Sequence, residues 1–349
     1  MRSSATPSPA TRPLDRSRST QLVERVRLSA LGVIAAATFG AAPPPSGLDP
    51  RPSVDSASGV AALSAPKVGM VRLPAGTFTI GIGMDELERA VALCRSEPLG
   101  DHCKEYPFAY ALWAHSVHLR AFLLDRTEVT VGAYRRCVAA GACTRPTYAE
   151  GDPRFDRDEL PVSHVSWDDA RDYCVFRGAR LPTEAEWERA ARGEDPDPAL
   201  CKAGKSAGGC APRRFPWGAL PNPKLANHGA LDLGSVFLPS GEFLQGIADP
   251  TDGALELAPV GRYPDGATPQ GIQDLAGNVA EWVEDLWSDQ FPNVTVTDPH
   301  GPSTGTLRVV RGGSYRSPLA MIRASARDRR PPSTRDATIG FRCARDAPS

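Results

Sequence analysis

The sequence predicts an α+β fold with sparse regular secondary structure. Apolar and polar residues alternate in two runs between 70 and 130, and strand-like runs return after 307. Two capping boxes open helical runs between them. The 349 residues include 32 Gly and 34 Pro, enough for long irregular connections. That order of strands, helices, loops and strands reads as α+β.

The chain begins with an Arg/Ser/Thr/Pro-rich stretch, residues 1–27. LSALGVIAAATFGAA (28–42) follows, an apolar run flanked by Arg25 and Arg27 and too short for a standard spanning helix. Its small residues at the end offer a signal-peptidase site, so 1–42 reads as an export signal, with a retained N-terminal membrane anchor as the alternative. No cysteine stands near the cleavage point to take a lipid. Residues 43–66 are a Pro/Ser/Ala linker, and one globular domain is expected over 67–349.

Within that domain MVRLPAGTFTIG (70–81), punctuated at Gly76, and HSVHLRAFLLDRTEVT (115–130) read as strands. Thr130 can cap a short helix that ends at Gly141. Ser166 with Asp169, and Thr183 with Glu186, are capping boxes; their helices stop at Gly178 and Gly193. Residues 195–270 are rich in Pro, Gly and Asp and show weak periodicity. Strands are expected again at 307–313, 321–327 and 338–346.

The cysteines agree with export. Eight are present, and six fall into local pairs: Cys94 with Cys103, Cys137 with Cys143, Cys201 with Cys210. Those pairs would each staple a loop and leave Cys174 and Cys343 as a long-range pair. No CxxC is present, which disfavours a zinc ribbon or a thioredoxin-type centre. The net charge of −1 gives no sign of nucleic acid or an acidic membrane surface as a partner. His115 and His118 are three apart in a strand-like run, so they face opposite sides and make a poor metal pair. No P-loop, HExxH or G-x-S-x-G elbow occurs.

Four longer motifs carry a resemblance. PVSHVSWDDARDYCVFRGARLPTEAEWERAARG (161–193), QDLAGNVAEWVEDLW (273–287), RVVRGGSYRS (308–317) and IGFRC (339–343) resemble the sulfatase-modifying-factor family of formylglycine-generating enzymes. The likeness runs from about Met70 to Asp346. It implies a variant C-type-lectin-like fold. It also implies structural calcium: Asp274 and Glu281 match side-chain ligands, with Gly277 and Val279 giving backbone carbonyls. Asn227 and Asp252 match a second site, with His228 and Ala254 giving carbonyls. A hard cation wants several oxygens, and Gly277 permits the tight turn that aims them inward. Trp282 and Trp287 read as core anchors. Cys174 and Cys343 match the two halves of a family disulfide, and a second family disulfide falls on Ala191 and Ala324, so both its cysteines are missing together.

The resemblance locates the redox centre after the Gly312-Gly313 turn, where active oxidases carry two cysteines that bind Cu(I) and activate O₂. Counted from Gly313, those positions are Ser317 and Ile322; counted back from Arg323 they differ, because the loop is three residues shorter. No cysteine stands between Cys210 and Cys343. Cu(I) prefers soft sulfur ligands, and Met321 alone cannot replace two thiolates, so copper is not expected. Ser317 and Arg311 remain the candidate residues of this loop. Arg311, Arg323, Arg327, Arg329 and Arg330 form a basic cluster that either pairs with local carboxylates or lines a pocket for an anion.

Two functions of different class follow. One is an exported, divergent family member: a calcium- and disulfide-stabilised module that binds a peptide, protein or glycan. The other is an oxidase that converts a sulfatase cysteine to formylglycine, or a related oxidation, with a rebuilt site. The missing cysteine pair favours the first.

Overall fold

The computed structural model describes residues 69–103, 105–195, 201–202, 212–231, 246–291 and 295–348, all within the unit Ser64–Ser349. The expected export segment 1–42 and the linker 43–66 lie outside the described residues.

Both ends of the domain meet in one sheet. Strands β1 (Met70–Leu73) and β12 (Ala344–Asp346) flank β4 (Phe122–Asp125), antiparallel on each side. A second sheet joins β2 (Gly76–Ile80) to β3 (His115–Leu119), antiparallel, and β3 to β8 (Val296–Thr297), parallel. Alternation along β3 buries His115 and leaves His118 half-buried, as the period of two requires. The third sheet has the order β10 (Arg327–Arg330), β9 (Arg308–Arg311), β7 (Ala280–Leu286), β11 (Ile339–Phe341), with only β7 and β11 parallel. A short ladder pairs β5 (Gly229–Ala230) with β6 (Ile247–Ala248).

Four helices of two turns or more are present among the described residues. Helix α1 (Met84–Ser96) has no counterpart in the expectations above, although Leu87, Ala90, Val91 and Cys94 follow helical spacing and are its buried face. Helix α2 (Val131–Ala139) is capped by Thr130, whose hydroxyl accepts from Ala133 N. Helices α3 (Trp167–Phe176) and α4 (Glu184–Arg192) open with complete capping boxes, Ser166/Asp169 and Thr183/Glu186.

Two corrections concern strands. The run 321–327 is not a strand: Leu319–Met321 form a 3-10 turn and β10 begins only at Arg327. The small residues Ala324, Ser325 and Ala326 there are buried in a turn rather than paired in a ladder. Strand β7 lies inside the loop-like motif DLAGNVAEWVEDL. Its first four residues are all buried, so it shows no alternation to read.

Strand β7 separates two apolar cores. Trp282 packs with Tyr134, Tyr173 and Phe341 on one side. Its neighbour Val283 packs with Phe78, Phe122, Trp187 and Val309 on the other. Trp287 lies half-buried against the second core. Three indole N–H groups find buried acceptors: Trp282 on Val165 O, Trp167 on Val283 O and Trp187 on Glu281 Oε2. Ala191 and Ala324 are both fully buried in the second core, with methyl groups where the resemblance implies sulfur.

Cys94–Cys103, Cys137–Cys143 and Cys174–Cys343 are bonded. The last ties α3 to the end of β11 across 169 residues. Cys201 is also disulfide-bonded, and its expected partner Cys210 lies outside the described residues. No helix among the described residues is long and apolar enough to cross a membrane.

Candidate functional site

The Gly312-Gly313 turn leaves β9 with both residues at positive φ, 89° and 65°. A Cβ on Gly313 would stand 2.9 Å from Ile322 Cγ2 and 3.1 Å from Ser317 Cβ, so only glycine fits. That close approach also shows that Ser317 and Ile322 flank one point, although they are separated along the chain. The positions converge; the chemistry does not. Ser317 Oγ accepts from Ser314 N at 3.0 Å, and its backbone oxygen accepts from Gly229 N. Ile322 is sealed in an apolar cluster with Phe215, Ala226 and Ala276. Met321 is buried as well.

The space beside the turn is a cavity of about 20 Å³, bounded by Gly313, Ser314, Ser317, Met321, Asp328 and Arg330 among others. That is room for about one water molecule. The side-chain ligand atoms beside the turn are hydroxyls, one carboxylate and one thioether, a set without the thiolates that Cu(I) prefers. All seven cysteines among the described residues are in disulfides.

The basic cluster is mostly spent on ion pairs. Arg311 donates to Glu184 at 2.9 Å, Glu188 at 2.6 Å and Ala324 O at 2.8 Å, fully buried. Arg311 therefore holds α4 to β9 and does not face a groove. Arg327 pairs with Glu184, Arg330 with Asp328, and Arg329 more loosely with Asp289. This pairing explains how α4, whose sequence EAEWERAAR is mostly charged, can be buried along its whole length. Arg323 differs: it is buried with no carboxylate at ion-pair distance among the described residues, donates to Ala320 O and Ser325 Oγ, and burial brings its pKa down to about 10.

The first expected calcium loop is rich in buried oxygen. Asp274 Oδ2 accepts from Gly261 N, and burial pushes its carboxyl up to about 6. Glu281 is held by Trp187 and Arg342. A third carboxylate, Glu128, was not singled out in the sequence. It accepts from Val279 N and Asn278 Nδ2, and burial together with the charges of Asp274 and Glu281 raises its pKa. Glu128, Asp274 and Glu281 thus share the Arg342 guanidinium, the one neighbouring cation for the three among the described residues. Asp274, Gly277 and Asn278 all have positive φ, the tight winding expected around Gly277.

The second expected site packs on the first. Asn227 Nδ2 donates to Asn278 Oδ1 and Glu256 O, and Asn227 O accepts from Asn278 N. Asn227 Oδ1 is buried and has no hydrogen-bond partner among the described residues. Asp252 accepts from His228 N and Ala254 N, so the four matched residues are close neighbours. A buried amide oxygen without a donor, and a surplus of buried carboxylate, suit a hard cation. No three His, Cys, Asp or Glu side chains among the described residues converge as a metal site. Any cation here would depend on backbone and amide oxygens.

Comparisons with known proteins follow the same outline. The family model for the Sulfatase-modifying factor enzyme 1-like domain matches residues 59–347. A formylglycine-generating enzyme of Streptomyces coelicolor is 33% identical over 345 residues, which covers 85% of this chain and 96% of the relative. The inactive C-alpha-formylglycine-generating enzyme 2 of Mus musculus is 34% identical over 197 residues, 54% of this chain and 50% of the relative. Among solved structures, PvdO from Pseudomonas aeruginosa superposes with a TM-score of 0.52 at 24% identity, covering 80% of this chain and 94% of that one. The mixed helices and short strands are those of the C-type-lectin-like fold of formylglycine-generating enzymes.

Proposed function

The chain belongs to the sulfatase-modifying factor enzyme 1-like domain family, and from that premise we propose that it is a divergent, exported member that binds a ligand without copper chemistry. One observation carries the reading: the two positions that flank Gly313 are a hydroxyl and an aliphatic side chain, Ser317 and Ile322. The resemblance implies two thiolates there for copper that activates oxygen, and Cu(I) prefers such soft ligands. A relative named as inactive has a place in the same family. Calcium is the structural ion of this reading, held at Asp274, Gly277, Val279 and Glu281 and at Asn227, His228, Asp252 and Ala254. The disulfides support passage through an oxidising compartment. The ligand class is a peptide, a protein or a glycan.

The test is metal analysis of the purified chain, then aerobic incubation of Cu(I)-loaded protein with a sulfatase-motif peptide. Mass spectrometry should find the peptide cysteine unchanged and calcium, not copper, in the protein. Copper-dependent formylglycine formation that is lost on replacing Ser317 would overturn the reading and establish the rebuilt oxidase.

A further inference from the structure

Away from the Gly312 turn, helix α2 and the segment 145–156 enclose an open cleft of about 440 Å³. It shares no lining residue with the small cavity beside that turn. Its size falls among ordinary small-molecule sites.

The cleft is built rather than incidental. The segment leaves α2 through the Cys137–Cys143 disulfide. Tyr134 OH donates to Thr144 O at 3.0 Å. Arg135, on α2, holds the far end through Asp156 at 2.7 Å and Asp158. Val131 N and Gly132 N bond to Leu160 O and Asp158 O. A strap fixed at both ends presents a preformed site, and a ligand need not order it.

Its lining sorts by chemistry. Val131, Val138, Ala139 and Pro146 give an apolar wall with the ring of Tyr148. Tyr148 is half-buried, and its hydroxyl makes no hydrogen bond among the described residues. The rim carries one cation and one anion, Arg145 and Glu150, which pair at 2.9 Å while 73% and 83% exposed. An ion pair so exposed is worth little by itself, so it opens at small cost. Opened, it offers a carboxylate receptor and an ammonium receptor side by side above an apolar wall.

We infer that this cleft binds a free α-amino acid with an apolar or aromatic side chain. Its carboxylate meets Arg145, its ammonium meets Glu150, and its side chain lies against Val131, Val138, Pro146 and Tyr148. Competing chemistries match less well. The lining charges are balanced, Arg135 and Arg145 against Glu150 and Asp156, which disfavours a phosphate or polyanion. An aliphatic wall leaves the hydroxyls of a sugar without partners. A segment inside a peptide carries neither the carboxylate nor the ammonium that the rim would receive.

Calorimetry on the whole chain tests this with L-phenylalanine, glycine, N-acetyl-L-phenylalanine, L-phenylalaninamide and the doubly blocked N-acetyl-L-phenylalaninamide. Phenylalanine should bind and glycine should not. Blocking either charged end should weaken binding about tenfold, the loss of one charge-assisted hydrogen bond. Arg145→Ala should weaken phenylalanine binding, and in that variant phenylalaninamide should bind no more weakly than phenylalanine. Ala139→Trp fills the cleft from an exposed position and should abolish binding at an unchanged melting temperature. Equal binding of the doubly blocked compound would overturn the proposal in favour of a peptide site. So would the absence of phenylalanine binding, or phenylalanine binding that survives Ala139→Trp in a folded protein.

Discussion

Arg342 grips Glu281 through two bonds, Nε to Oε2 and Nη2 to Oε1, each 2.7 Å, with the two side chains 0% and 1% exposed. The same guanidinium donates to Asp125 O and Asp274 O. One side chain therefore ties the end of β11 to β4 and to the loop that leads into β7. The residue next to it, Cys343, makes the long disulfide to α3, so covalent and ionic ties converge on one turn of chain.

Breaking that pair from one side should be costly. Arg342→Met leaves Glu281 buried without its counter-charge, and the neutral indole N–H of Trp187 is its remaining side-chain donor among the described residues. The expected loss is about 3–5 kcal/mol, the usual result of stranding one member of a buried pair. Denaturant titration measures it. A loss below about 1 kcal/mol would place the pair with exposed salt bridges, contrary to its burial.

Calcium should stabilise the fold by mass action, since its oxygens are assembled only in the folded chain. At a free concentration a hundredfold above its dissociation constant the gain is about 2.7 kcal/mol. Chelation should lower the melting temperature of the wild type. Asp274→Ala and Asn227→Ala should each remove part of that response. The Asn227 change also removes the Nδ2 bonds to Asn278 Oδ1 and Glu256 O, so it is read by the lost response to chelator and not by the drop in stability. A melting curve unmoved by chelator, in protein shown to be free of retained calcium, would reject both sites.

The sequence showed the capped helices plainly, because Ser166/Asp169 and Thr183/Glu186 are local chemistry read at fixed spacing. It hid β7 for the opposite reason: Trp282 and Val283 serve two cores, so the strand lacks a polar face. The expected calcium residues could be picked out where one motif contains them. Asp274, Gly277, Val279 and Glu281 lie within eight residues, whereas Glu128 joins them from about 150 residues away through Asn278 and Val279. Nothing local distinguishes Glu128 from a surface acid. Arg311 illustrates the converse. Next to a double glycine it reads either as a partner for local carboxylates or as a cation for an anionic ligand, and the fold decides by placing Glu184 and Glu188 against it from α4.

The pH dependence of stability should carry the mark of Asp285. Its carboxyl is buried on β7 and accepts from Glu184 N, the first N–H of α4, and from Gly301 N. Burial first, then the charge of Glu184, pushes it up to about 7 from an ordinary 3.8. Between those values the folded state keeps a proton that the unfolded chain has released. Stability therefore falls as pH rises from about 4 to about 7 and levels off above. The share from Asp285 is at most about 4 kcal/mol, three units at 1.36 kcal/mol each. Glu97 and Asp274 are pushed up in the same direction, to about 7 and about 6, and add to the slope. Asp285→Asn keeps one acceptor oxygen for the N–H groups and cannot ionise. The variant should lose part of the slope and should gain on the wild type as pH rises, most at pH 8. Denaturant unfolding of both proteins at pH 4, 6 and 8, in chelator throughout, gives the comparison. Equal slopes in the two proteins would mean that Asp285 is already ionised at low pH in the folded state, and that its two backbone donors outweigh its burial.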